Sequence, residues 1–334
     1  MKTIRPALAA VVMLAVLAAC NPASQDSAPS TPDTRTPGAT AAKTGSNAAP
    51  AELEAIPQEY LAPSGAPGTL VEFHYDTYEA MTHEQQAQKL NKRAIVYLPP
   101  GYDEDQRYNV FYLMHGGWGN ETTTLGTPAA PSPFKNVIDH AVNAGEIAPL
   151  IIVCPTYNNT SPEDSASFSL ALDLNERYHN ELLNDLIPAV EAAYPTHAGN
   201  TTPEALMAAR DHRGFGGFSM GAVATWRTFQ HALDYFRYFL PMSCGTTLGD
   251  DRIFAAAEAR SDFFVWVITG TDDFAYSYDQ NRAEQMRQSP SFTDADTSST
   301  GNFAFRTKEG YAHDGLAAME YTYNGLRWFW NQPE

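Results

Sequence analysis

The residues best suited to chemistry lie in Gly214-Phe215-Gly216-Gly217-Phe218-Ser219-Met220-Gly221, whose last five spell G-x-S-x-G. A serine in that pattern belongs on a sharp strand-to-helix turn, and flanking glycines leave room where the turn crowds its own backbone. Held there, its hydroxyl can attack an acyl carbon once a base removes its proton and a third group fixes the base's tautomer. On such a scaffold the partners follow in the order serine, acid, histidine. Only His231 and His313 lie downstream of Ser219. His231 falls late in the helix expected after the serine and reads as a helix-surface residue. His313, in Glu309-Gly310-Tyr311-Ala312-His313-Asp314-Gly315, stands between the last expected strand and the last expected helix, where a base belongs. The acid should follow the strand ending Ile268-Thr269-Gly270-Thr271-Asp272-Asp273-Phe274, and either aspartate suits that role.

An attacked carbonyl develops negative charge on its oxygen, which two backbone N–H groups can stabilise. One is expected from Met220, at the start of a helix whose dipole helps. The second is expected from the loop His115-Gly116-Gly117, at Gly117, with Trp118 as the alternative. His115 precedes the serine in sequence and reads as a structural residue that holds this loop. Metal chemistry has no support, since neither H-x-x-x-H nor C-x-x-C spacing occurs. Neither a phosphate-cradling glycine loop with a lysine nor a dinucleotide fingerprint is present, so no cofactor is expected.

These residues need a scaffold, and the hydrophobic pattern supplies one. Alternation predicts a strand over 69–75, and further strands are expected over 94–98, 109–114, 149–154, 212–218, 238–243, 263–269 and 303–307. The third is almost wholly apolar and the fourth apolar throughout, as expected of strands buried on both faces. Helices are expected over 134–145, 170–194, 221–231 and 315–330, the second kinked or divided by Pro188. Buried strands alternating with helices give an α/β protein with a mainly parallel sheet of about eight strands covered on both faces. Ligands then bind at the carboxyl ends of the strands, and the loops after His115, Phe218, Thr269 and Thr307 all leave that edge.

The start of the chain reads differently. Lys2 and Arg5 precede an apolar run over 7–19 that closes with Leu17-Ala18-Ala19-Cys20. Residues 1–19 are expected to be a lipoprotein signal peptide, with Cys20 lipidated and the mature protein tethered to the outward face of a membrane of the cell envelope. Residues 20–64 begin Ala-, Pro-, Ser- and Thr-rich and read as a flexible linker, and 65–334 form the folded domain. The formal charge is −18, and removing Lys2 and Arg5 with the signal takes it to −20. That balance excludes nucleic acid and anionic membrane surfaces as partners, apart from the anchor. Cys154 and Cys244 are an even pair that an exported protein could oxidise, although spacing alone does not establish a bridge.

Several stretches together resemble one family. Arg93-Ala94-Ile95-Val96-Tyr97-Leu98-Pro99-Pro100-Gly101-Tyr102, the 111–121 segment through His115-Gly116-Gly117, the 214–226 segment around Ser219, Phe239-Leu240-Pro241-Met242-Ser243 and Thr269-Gly270-Thr271-Asp272-Asp273 look like carbohydrate esterase family 1, in particular the feruloyl esterase domains attached to bacterial xylanases. The resemblance runs over about 69–330. It implies an α/β-hydrolase fold and cleavage of feruloyl or acetyl esters on plant cell-wall xylan without a cofactor. Carried over by position, it implies Ser219 as nucleophile, Asp273 rather than Asp272 as acid, and His313 as base. Trp118, Tyr157, Phe274 and Tyr276 lie on loops near these residues and are expected to stack on an aromatic acyl group. If the family's sheet order holds, Cys154 and Cys244 sit on strands that are not neighbours, and no disulfide is expected. Two residues depart from the family pattern. Gly214 replaces a commoner alanine, and Asp314 sets a second carboxylate beside the base, where it bears on the acyl pocket. The expected activity is release of feruloyl or similar hydroxycinnamoyl groups. The alternatives are an acetyl xylan esterase, a related acyltransferase or esterase for non-plant esters, and an inactive glycan-binding protein on the same scaffold.

Overall fold

The computed structural model describes residues 49–331. The expected signal peptide and Cys20 lie outside the described residues. Ten strands are present among the described residues: β1 Thr69–Tyr78, β2 Lys89–Leu98, β3 Asn109–Met114, β4 Gly126–Thr127, β5 Ala130–Pro131, β6 Leu150–Cys154, β7 Arg213–Phe218, β8 Tyr238–Met242, β9 Phe264–Gly270 and β10 Phe303–Lys308. All but the small β4–β5 hairpin join one eight-stranded sheet, in the order β1-β2-β6-β3-β7-β8-β9-β10. β1 and β2 pair antiparallel, as do β2 and β6, and the other six strands run parallel. The fold is that of an α/β-hydrolase.

Each face of the sheet has its own core, because successive side chains of a strand point to opposite sides. From β3, Val110, Tyr112 and Met114 join the core under α2 Phe168–Glu181, α3 Ile187–Ala193 and α5 Met220–Ala232. Phe111 and Leu113 join the core under α1 Pro133–Asn143 and α8 Gly315–Trp328. Three further helices, α4 Pro203–Ala208, α6 Asp250–Ala259 and α7 Tyr276–Gln288, had no clear periodic signal in the sequence. The long helix expected over 170–194 is divided: a π-helical turn, Leu182–Leu186, separates α2 from α3, and Pro188 sits in the first turn of α3. Proline has no N–H to donate to the preceding turn, so the break falls there.

Two of the boundaries that moved have a clear physical cause. The linker was expected to run to 64, but 49–64 lies on the domain. Ala49 and Leu53 are buried. Arg306 Nη2 donates to the Ala49 carbonyl at 2.8 Å and Lys308 Nζ to that of Leu53 at 2.8 Å. Asn324 both accepts from Glu54 N and donates to Glu54 O, each at 2.9 Å. Strand β2 also begins earlier than expected, because Lys92 points inward to Glu181 Oε2 at 2.8 Å and a buried pair hides the alternation. Cys154 closes β6 and Cys244 follows β8, with β3 and β7 between them, and both are free thiols.

Candidate active site

Parallel register aligns the strand ends that carry the chemistry. Met114 of β3 pairs with Gly217 of β7, and Phe218 pairs with Met242 of β8. The loops after β3, β7 and β8 therefore leave the sheet side by side. Ser219 links β7 to α5 at φ 60°, ψ −117°. A non-glycine residue at positive φ costs about 1–3 kcal/mol, which the surrounding packing must hold in place. The restraint is visible: Ser219 N donates to Met242 O at 2.9 Å, and Ser219 O accepts from Ala222 N at 2.9 Å. The neighbouring glycines are sterically required. A Cβ on Gly217 would lie 2.6 Å from Met114 O and 2.7 Å from Gly221, and one on Gly221 would fall on Met114 O. Serine often caps a helix through its hydroxyl, yet here no cap bond forms and the hydroxyl stays free of the backbone.

His313 stands between β10 and α8. Its Nδ1 lies 2.9 Å from both Oδ1 and Oδ2 of Asp273. A carboxylate only accepts, so Nδ1 carries the proton and Nε2 of the neutral ring is left bare. The rings of Phe218 and Phe274 pack on the imidazole, each 4.4 Å between centroids. Burial works to raise the Asp273 pKa, but hydrogen bonds from His313, Ala275 N and the Ser243 hydroxyl outweigh it and hold the carboxyl below its ordinary value. Asp272 is exposed, and its N–H bonds Tyr311 O at 3.1 Å. Geometry thus selects Asp273. Within the 3.5 Å hydrogen-bond limit, no bond joins Ser219 Oγ to His313, a gap common where such a pair tightens only around substrate.

The β3–α1 loop lies on the other side of Ser219, where the oxyanion donors were expected. Trp118 N donates to Ser165 O at 3.0 Å, which removes it as the second oxyanion donor. No bond engages the Gly117 N–H among the described residues, and Met220 opens α5, where the first N–H groups have no intrahelical acceptor. His115 is buried, and burial pushes its pKa down to about 4. As a neutral ring it donates from Nδ1 to Gly116 O at 2.7 Å and accepts at Nε2 from Thr156 Oγ1 at 2.7 Å. It holds the loop, as the sequence suggested. His231 stacks on His179 at 4.1 Å on the α5 surface and takes no part.

Ser219, His313, Gly117 and Trp118 line one cavity of about 550 Å³. Its wall is mostly apolar, with Leu113, Phe134, Phe218, Met242, Ala318 and Met319 among the lining side chains. Of the four aromatics expected to meet an acyl group, only Trp118 lines it, and that side chain is 81% exposed at the rim. Tyr157 is buried instead, stacked on His115 at 4.5 Å with its hydroxyl donating to Gly116 O at 3.1 Å, so it supports the oxyanion loop. Phe274 lies against His313 outside the cavity, and Tyr276 is half-buried at the start of α7. Asp314 does line the cavity while also capping α8, its Oδ1 accepting from Ala317 N at 3.0 Å. Ser243 was not singled out from the sequence. It is fully buried at φ 52°, 3.4 Å from Thr269 Oγ1, and helps hold the Asp273 pKa down.

Comparison with known proteins places this arrangement. The family described as "Putative esterase" matches residues 86–299, which take in Ser219 and Asp273. Endo-1,4-beta-xylanase Y of Acetivibrio thermocellus is 35% identical over 286 residues, covering 83% of this chain but only 24% of that longer protein. A serine-to-alanine mutant of the feruloyl esterase module from Clostridium thermocellum, complexed with sinapinate, superposes with a TM-score of 0.72 at 32% identity, covering 86% of this chain and 97% of that one. A ferulic acid esterase from the anaerobic fungus Anaeromyces mucronatus shares the fold alone, with a TM-score of 0.61 at 18% identity over 83% of this chain and 97% of that one. With its family match spanning most of the folded domain and a relative sharing a third of its residues, the chain belongs to the esterase family.

Proposed function

We propose that the protein is a serine carboxylesterase that releases feruloyl or similar hydroxycinnamoyl groups from xylan. The observation that carries this reading is the hydrogen bond from His313 Nδ1 to Asp273, at the wall of the same apolar cavity as Ser219. In the mechanism, Ser219 Oγ adds to the ester carbonyl as His313 Nε2 takes its proton, and Asp273 steadies the imidazolium. Gly117 N–H and Met220 N–H bind the oxyanion. Collapse expels the sugar alkoxide, which takes the proton from His313, and water then cleaves the acyl-enzyme by the same route. The cavity volume of about 550 Å³ favours an aromatic acyl group over acetyl, which would leave most of it unfilled. The relatives named for xylanase and feruloyl esterase activities point to the same substrate class.

Two assays test this. The ratio of kcat/KM for methyl ferulate to that for acetylated xylan should favour ferulate, and a ratio below one would favour the acetyl alternative. Ser219→Ala should abolish hydrolysis of both substrates and labelling by a fluorophosphonate probe, while retained activity would refute the mechanism. We further propose export and lipid tethering at Cys20, supported by the basic start, the apolar run over 7–19 and Leu17-Ala18-Ala19-Cys20. Incorporation of labelled fatty acid into the wild type but not into Cys20→Ala is the expected result.

A further inference from the structure

The side chains lining the cavity include one carboxylate, that of the solvent-exposed Asp314, and neither lysine nor arginine. His115 is held neutral, and Ser219, Thr123, Thr124, Ser132 and Thr322 bring only hydroxyls. The pocket that receives the acyl group therefore has no cation to retain an acid and one fixed anion beside the base. Asp314 Oδ1 accepts the Ala317 N–H at the start of α8, where the helix dipole favours a negative charge, so the carboxylate is held in place. No hydrogen bond engages its second oxygen among the described residues.

We infer that Asp314 expels the acid product and sets the enzyme's preference for uncharged acyl ligands. The inference rests on the acyl-site reading above. In deacylation, water adds to the acyl carbonyl and its proton passes to His313 Nε2. Collapse breaks the bond from that carbon to Ser219 Oγ and returns the proton to Oγ. The freed carboxylic acid then loses its proton to solvent. The neutral ester has become an anion in a cavity lined by the solvent-exposed Asp314 carboxylate, and like charges so placed repel, weakly because water screens them. Entry of the ester feels no such force. Asp314 thereby acts on product release, not on bond-making.

The test uses Asp314→Asn, since asparagine caps a helix as well as aspartate does and keeps the side-chain shape. Asp314→Ser, a second capping residue, guards against a variant that does not fold. With an aryl acetate as reporter, inhibition constants are measured for a hydroxycinnamic acid and for the amide of the same acid. Removing the charge should tighten acid binding about fivefold, the scale of one screened like-charge contact, and leave the amide unchanged. The difference between acid and amide should also shrink in the wild type at high salt. An acid-to-amide ratio unchanged by both variants, with the amide still binding, would overturn the role of Asp314 alone. Failure of the amide to inhibit wild type or variants would overturn the reading of the cavity as a hydroxycinnamoyl site, and this inference with it.

Discussion

Replacing Asp273 by asparagine exchanges one oxygen for NH₂ and should disable the enzyme without emptying the site. The Asp273 side chain has no solvent exposure. Its Oδ1 accepts from Ala275 N at 2.8 Å, and both oxygens lie 2.9 Å from His313 Nδ1. An amide can keep its oxygen on the Ala275 N–H, which turns its NH₂ toward the imidazole. The other orientation sets NH₂ against a buried N–H and leaves two donors facing each other, at a cost of about 1–3 kcal/mol. In the favoured orientation Nδ1 becomes an acceptor, the ring proton moves to Nε2, and His313 cannot take the serine proton. The same exchange in a serine triad lowers kcat by about 10⁴, or roughly 5 kcal/mol of transition-state stabilisation. The assay is kcat/KM on an aryl acetate, with near-UV circular dichroism to verify packing. Asp272→Asn is the control and should stay within about twofold, since the Asp272 side chain is exposed and only its backbone N–H is engaged. A loss under tenfold in a well-folded Asp273→Asn, or an equal loss in the control, would refute the assignment.

Two other perturbations probe the supports. Gly221→Ala sets a methyl group on the Met114 carbonyl oxygen and should lower stability by about 1–3 kcal/mol in urea unfolding, with loss of activity as the elbow shifts. His115, held near pH 4 against an ordinary value of 6.5, takes up its proton in the unfolded chain before the folded one. Its contribution is therefore complete above pH 6.5 and is lost as the pH falls toward 4, a change of about 3 kcal/mol. His197 and His231 are also held near 4, so the wild-type slope reflects several groups. His115→Gln should reduce proton uptake on unfolding at pH 5 by about one; an unchanged slope would show that His115 is not buried as a neutral ring.

What the sequence disclosed, and what it withheld, follows from how each element is buried. The inner strands β3 and β6 are almost wholly apolar runs because helices cover both faces, and their shortness between turn signals favours strand over buried helix. Ser219 and His313 were singled out because the order of partners and the strand–turn–helix setting left one candidate for each, and both line one cavity. Asp272 and Asp273 were not separable from local pattern, and only the hydrogen bond to His313 distinguishes them. Helix α7 escaped notice for a physical reason. Its inward face carries Asp279 and Arg282 beside Ala283 and Met286, so no apolar stripe marks it. Those charges serve the site. Asp279 Oδ2 accepts Cys244 N at 2.9 Å, while Arg282 bonds Asp279 Oδ1 at 2.9 Å, Asp250 at 3.0 Å and the Thr246 carbonyl. The loop so fastened carries Ser243, which helps hold the Asp273 pKa down, and Gly245, whose bare Cα lets the Phe274 ring lie against the chain. Tyr157 misled because a tyrosine in a polar loop reads as a rim residue, whereas its ring fills the space over a neutral His115.

The stretch over 49–64 carries the same lesson into the least informative part of the chain. Composition predicts disorder when a segment has too few apolar side chains to offset the entropy of ordering it. That reasoning counts only what the segment itself contributes. Here side chains of the segment do contribute, Leu53 by burial and Tyr60 through its bond to Glu146, but many of the bonds are made to its main chain by side chains that belong to the domain. Arg306 reaches two successive carbonyls, of Ala49 and Pro50, and Lys308 reaches that of Leu53. Asn324 pairs with both backbone groups of Glu54, and Ile56 N donates to Glu320. Any residue offers those carbonyls and N–H groups, so the segment's own letters are silent about them. The informative letters lie more than 250 positions away: Arg306 and Lys308 on β10, and Glu320 and Asn324 on α8. Those two elements bracket His313. A strap bonded to both restrains the strand before the base and the helix after it. The segment that composition set aside as a spacer therefore belongs to the framework that holds the base in line with Asp273.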